Sequence, residues 1–116
     1  MKEDKIKLGS EYRLRTISQN TTLNVGELIE DCLNFLHTLV LGQDAAKKLA
    51  KTEHKLREIE KIKDNDKMYK CQKEILFQDI FDILEDIAPE GCYFGTHPGD
   101  FGLIGFWEKA LFSVTH

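Results

Sequence analysis

The stretch Ala88–Trp107 holds both prolines of the chain, Pro89 and Pro98, and five of its eight glycines. It also carries the rings of Tyr93, Phe94, Phe101, Phe106 and Trp107. Pro89 pushes Ala88 away from helical dihedrals and removes a donor, so a helix arriving from upstream stops there. Tyr93-Phe94 opens a run suited to a pleated, half-buried surface. His97-Pro98-Gly99-Asp100 fits a type II turn, with Pro98 presetting φ at the second position and Gly99 supplying φ > 0 at the third. Leu103–Trp107 is then the return strand, and residues 91–107 read as a β-hairpin. Gly95 and Gly105 within it mark bulges or places where another group approaches the backbone closely.

A hairpin alone is marginal in water, so a third strand is required. Glu11–Ile17 alternates, with Arg13 and Arg15 opposite Tyr12 and Leu14, which is an edge-strand pattern. Residues 1–10 read as loosely held, and Ser18–Thr22 as a polar loop.

Between the strands, residues 24–88 read as helical. Asn24 stands three positions before Glu27, a capping-box spacing. Leu28, Ile29, Cys32, Phe35, Leu36 and Leu39 follow at helical spacing, giving a first helix over Val25–Leu41 that Gly42 ends in a left-handed cap. Leu33 and Val40 widen its apolar surface. Asp44 caps a second helix over Ala45–Lys63, with a thin stripe of Ala45, Leu49, Leu56, Ile59 and Ile62 and a Glu53–Arg57 pair four apart. Asp64-Asn65-Asp66 breaks it. Asp66 caps a third helix carrying Met68, Cys71, Ile75, Leu76, Phe77, Ile80, Phe81, Ile83, Leu84 and Ile87, the most apolar element. Segment 108–116 fits a short helix or a strand extension equally.

These elements make one α+β domain over residues 1–116: a three-helix bundle with a small antiparallel sheet built from the N-terminal strand and the C-terminal hairpin. At 116 residues a sizeable core can be buried. The net charge of −4 argues against general nucleic-acid or anionic-membrane binding. No apolar run approaches the ~20 residues of a membrane span. A charged start without an apolar run behind it, and three widely spaced cysteines, point to reduced thiols in a cytoplasmic protein.

His97 and Asp100 are the one acid–base pair that a turn holds together, either as a histidine oriented by an aspartate or as a turn in which Asp100 caps backbone donors. With Tyr93, Thr96 and Trp107 they form the candidate ligand site. Arg13 and Arg15 on the adjacent strand are the expected counter-charge for a phosphate. The five rings suit a stacking platform, although alternate members belong in the core on the period-2 rule, and Trp107 and Tyr93 are expected to be partly exposed. Cys32, His37, Cys71, Cys92, His97 and His116 lack the paired spacings of structural zinc sites. No phosphate loop, dinucleotide fingerprint or nucleophile elbow is present. No catalytic residue, metal or cofactor is therefore expected.

The segment Ala88-Pro89-Glu90-Gly91-Cys92-Tyr93-Phe94-Gly95-Thr96-His97-Pro98-Gly99-Asp100, closing on Gly105-Phe106-Trp107, resembles the C-terminal end of small proteins encoded by phages and other mobile elements. The likeness covers about the last fifth of the chain. It brings no activity with it. What it implies is a setting, a small phage or plasmid protein inside a bacterial cell, where such proteins are often non-enzymatic inhibitors, including ones that sequester nucleotide signals of host defence. The first expectation is thus a non-enzymatic binder of a small nucleotide-like ligand through the hairpin. The alternative is an inhibitor or adaptor that binds a host protein through its acidic helical surface, and a third is a small hydrolase using His97 and Asp100. Broad apolar faces on the first and third helices also predict a homo-oligomer.

Overall fold

A computed structural model describes residues 7–19 and 24–109, apart from the side chains of Gln19, Asp100 and Phe101. Three helices pack against a three-stranded antiparallel sheet, the α+β arrangement expected from the periodicities. After a single 3-10 turn at Ser10–Tyr12 come β1 (Thr16–Gln19), α1 (Val25–His37) and α2 (Gln43–Ile59). The third helix is one rod in three parts: α3 (Asn65–Glu74), a π-helical segment (Ile75–Ile80) and α4 (Phe81–Ile87). The hairpin strands β2 (Cys92–His97) and β3 (Asp100–Glu108) follow, and the sheet order is β1-β3-β2. The expectations for residues 1–6, 20–23 and 110–116 lie outside the described residues.

The caps explain most helix starts and correct several boundaries. Asn24 accepts from the Glu27 N–H at 3.0 Å, as its spacing predicts. The first helix ends at His37 rather than Leu41, because the Thr38 hydroxyl takes the Phe35 carbonyl at 2.6 Å and the last turn tightens. The chain then runs with a period of two: Leu39 and Leu41 pack on the core while Val40 is 99% exposed. Gly42 is not a left-handed cap. It is extended, at φ −67° and ψ 168°, and serves as the N-cap of α2, so Asp44 falls in the first turn instead. That helix ends at Ile59, short of Lys63. The cap of α3 is Asp64, which accepts from the N–H groups of Asp66 and Lys67 at 3.0 and 3.2 Å; Asp66 lies in the first turn.

Within the third helix the π turn changes the apolar period. Ile75 and Ile80, five apart, are both buried, while Phe77 between them is 51% exposed rather than in the core. The core joins Leu28, Cys32 and Leu36 of α1 to Leu76, Ile80, Ile83 and Leu84, and to Phe94, Ile104 and Phe106 of the sheet. From α2, Leu49 and Thr52 are buried. A chain of ring contacts crosses this core: Phe81 meets Phe94 at 4.9 Å, Phe94 meets Phe106 at 5.3 Å, and Phe106 meets Phe35 at 5.9 Å. Each such pair contributes about 0.5–1.5 kcal/mol beyond its buried area.

The N-terminal strand forms beside β3 as expected, but it begins at Thr16, not Glu11. Glu11 and Tyr12 belong to the 3-10 turn, and Leu14 has φ 61°, which breaks the alternation before the strand can start. Ser18 is no loop residue. It is buried in β1, donating to Asp31 of α1 at 2.7 Å. The segment before it is also less free than its charge suggests, since the Leu8 N–H donates to the Ile87 carbonyl at 2.8 Å. No helix among the described residues is long and apolar enough to cross a membrane.

Candidate functional site

The hairpin is launched by a turn at Pro89–Cys92, in which the Cys92 N–H donates to the Pro89 carbonyl at 2.9 Å and Gly91 supplies φ 81°. Gly91 is thus the glycine for which a type II turn needs the left-handed region. Gly99 is not. The His97–Asp100 turn lacks positive φ at Gly99, and the Gly99 N–H instead donates to His97 Nδ1 at 2.9 Å. A histidine ring that accepts at this point satisfies the turn, so the backbone does not need the type II geometry.

From the turn the strands pair through Tyr93–Trp107, Phe94–Phe106 and Gly95–Gly105. Alternation sends Phe94, Ile104 and Phe106 into the core and puts Tyr93 and Trp107 on the other face. Trp107 lies outside the main core cluster, yet it is 4% exposed, contrary to the expectation of partial exposure. Its Nε1–H donates to the Gly95 carbonyl at 2.9 Å, and His97 stands edge-on to its ring at 4.7 Å. Tyr93 is half-buried, and its hydroxyl donates to the Thr96 carbonyl at 2.9 Å. Gly105 meets the close approach anticipated for it, since a Cβ there would stand 2.1 Å from the Arg15 carbonyl oxygen.

Tyr93, Thr96, His97 and Trp107 are therefore gathered along the hairpin. Asp100 is opposite His97 in register. With Nδ1 accepting from Gly99, the neutral imidazole carries its proton on Nε2; the group that orients the ring is a backbone N–H. Arg13 and Arg15 do not join them. Arg13 is ion-paired with Glu108, which pairs in register with Cys92 at the end of the hairpin away from the turn, and it also donates to the Glu90 carbonyl. The hydrogen bond to Glu108, and then the charge of Glu108, hold the Arg13 guanidinium above its ordinary value. Arg15 lies over the rings of Tyr12 and Phe35 at 5.2 and 6.0 Å.

All three cysteines are free thiols, and burial pushes Cys32 up to about 12 and Cys92 upward. Among the described residues no three His, Cys, Asp or Glu side chains come close enough to hold a metal ion.

Among the described residues, open concavities lie on the helices. One, of about 400 Å³, is lined by Ile29, Leu33, Glu53, Leu56 and neighbours from α1, α2 and α3. Another, of about 330 Å³, lies between α2 and the third helix around Ile59, Cys71 and Asp79. The sequence signal for the first was the widening of the α1 stripe by Leu33. The expected Glu53–Arg57 pair is replaced there by Glu53 with His37 at 2.6 Å, because α1 brings a closer partner.

Comparison with protein-family models, curated proteins and solved structures finds no match to this chain.

Proposed function

We propose that the chain is a non-enzymatic binding protein that engages a partner protein through its acidic helical surface. The observation that supports this reading most directly is the enclosure of Trp107. At 4% exposure, with its N–H already satisfied, the ring that would stack a ligand is closed to one. Open features among the described residues of the helices include the two grooves and the exposed rings of Tyr69 and Phe77 on the third helix. In the phage or mobile-element setting suggested by the C-terminal resemblance, such a protein would be an inhibitor or adaptor acting on a host protein in the cytoplasm. Self-association through the exposed rings belongs to the same reading, and light scattering at micromolar concentration tests it.

The test of the main reading is a selection of displayed helical peptides on the immobilised full chain. Enriched binders should lose affinity for a Tyr69→Ser/Phe77→Ser/Glu60→Lys variant and keep it for Thr96→Ala/His97→Ala. Binders that follow the hairpin variant instead, or no enrichment at all, would contradict it.

A second reading places a small nucleotide-like ligand at the hairpin tip, on Tyr93, Thr96, His97 and Asp100. It is favoured by the Gly99–His97 hydrogen bond, which presents Nε2–H as a fixed donor beside exposed Thr96. A panel of cyclic and linear nucleotides in a thermal-shift assay decides it, since a bound ligand raises Tm by mass action. A hydrolase using His97 and Asp100 has less support, because Nδ1 accepts from Gly99 rather than donating to an aspartate.

A further inference from the structure

We propose that the groove between α1, α2 and α3 takes the apolar face of a basic amphipathic helix from a partner protein. The proposal rests on the reading of the helices as the binding surface and names the site and the chemistry of its occupant. The floor is Ile29, Leu33 and Leu56. Ile29 is buried in the core, whereas Leu33 and Leu56 are half-buried at its margin, so the groove opens onto an extension of the core surface. Apolar anchors at helical spacing, i, i+3 or i+4 and i+7, are what such a floor accepts.

The walls decide the sign of the partner. Glu30, Glu53 and Glu60 line the groove together with a single cation, Arg57. His37 holds Glu53 in the wall at 2.6 Å. Among the described residues, no ion pair engages Glu30, Glu60 or Arg57. The groove on the other side of α2 differs in this respect, for most of its charges, Glu74 excepted, are paired. There Lys55 meets Asp79 at 2.9 Å, and Glu58 is paired with Lys61 at 3.3 Å. The α1–α2–α3 groove therefore leaves carboxylates over an apolar floor for a partner to match. A helix with Lys or Arg flanking its apolar stripe, and one carboxylate opposite Arg57, is complementary to it. The chain's net charge of −4 adds attraction at long range.

The probe is a fluorescein-labelled Leu/Lys amphipathic peptide of about 18 residues, long enough to span the groove as a helix. It is compared with a scrambled peptide of the same composition and with a Leu/Glu version, by fluorescence polarisation on the full chain at about 0.15 M salt. The Leu/Lys peptide should bind at least about tenfold tighter than either control. Glu30→Lys/Glu60→Lys should weaken it by about tenfold or more, and the milder Glu30→Gln/Glu60→Gln should weaken it less, while Glu74→Lys/Glu90→Lys, off the groove but with the same change in net charge, should weaken it by no more than about twofold. Melting curves confirm folding of each variant. Equal binding of the scrambled peptide, tighter binding of the Leu/Glu peptide, or indifference to both groove variants would overturn the proposal. Indifference to the groove variants combined with loss in Tyr69→Ser/Phe77→Ser overturns the groove and spares the helical-surface reading. Failure of both amphipathic peptides to bind overturns the two together.

Discussion

The indole of Trp107 reaches across the hairpin to the carbonyl of Gly95 at 2.9 Å, two residues beyond Tyr93, its partner in register. This bond and the edge-on ring of His97 at 4.7 Å make a small cluster on the face of the sheet away from the helices. The cluster holds the hairpin shut where an open stacking surface would otherwise lie.

Trp107 is the single tryptophan of the chain, so its fluorescence reports on this cluster alone. His97→Ala removes the edge contact, which should cost about 0.5–1.5 kcal/mol. Emission should shift to the red and acrylamide quenching should rise. Trp107→Phe keeps an aromatic ring but leaves the Gly95 carbonyl without this donor, a loss of about 1–3 kcal/mol in urea denaturation. Unchanged quenching in His97→Ala would show that the histidine does not cover the indole.

Gly105 should be the least replaceable glycine. A Cβ would stand 2.1 Å from the Arg15 carbonyl oxygen, and that same oxygen accepts the Phe106 N–H at 3.1 Å. Backbone on both sides cannot yield as a flexible side chain would. Gly105→Ala should cost about 2–4 kcal/mol and loosen β1 from β3, whereas Gly91→Ala, with open space around it, should cost only its dihedral strain of about 1–3 kcal/mol. Thermal denaturation of the two variants compares them, and a Gly105→Ala loss below that of Gly91→Ala would refute the assignment.

These glycines show what was legible in the sequence and what was not. Helix faces and the strand pattern of the hairpin follow from local period, and Asn24 and Pro89 act through neighbours a few residues away. The close approach at Gly105 was legible as a glycine within a strand, but its partner, Arg15, comes from the far end of the chain. The same distance explains the errors. Leu14 at φ 61° sets the start of β1, and the π turn at Ile75–Ile80 expels Phe77; both are choices of the packed fold rather than of local spacing. Alternation points Arg13 toward the ligand site, whereas Glu108, 95 residues away, captures it. The grooves had the weakest signal, because a concavity belongs to three elements at once.

The outer edge of β2 is protected by side chains. The Phe94 N–H donates to Glu85 of α4 at 2.9 Å, and the Tyr93 hydroxyl occupies the Thr96 carbonyl at 2.9 Å. An unprotected edge is a template for pairing with another chain. Glu85→Ala should cost about 1–3 kcal/mol by leaving the Phe94 donor unmet, and should raise the rate of aggregation near the melting temperature. Glu85→Gln keeps an acceptor and should recover most of both. Size-exclusion profiles after heating discriminate the two, and equal aggregation by Gln and Ala would mean that the edge is guarded by something else.

The pH dependence of stability should carry the mark of Cys32. This thiol is fully enclosed by the core, and burial first, with the charge of Asp31 second, lifts it from its usual 9.0 to about 12. Above the usual value the unfolded chain gives up a proton that the native chain keeps. The native state then binds more protons than the unfolded state, so stability falls as pH rises, by up to about 1.4 kcal/mol per pH unit between the two values. Cys92 and Tyr93, both raised chiefly by burial, act in the same direction. Cys32→Ala should be less stable than wild type near pH 8, by about 1–2 kcal/mol for the lost packing. It should also lose less on going to alkaline pH, so the two urea-denaturation series, under reducing conditions, should converge between about pH 9 and 11. Parallel series across that range would mean that Cys32 ionises with equal ease in the native and unfolded chains, and would refute the effect of its burial.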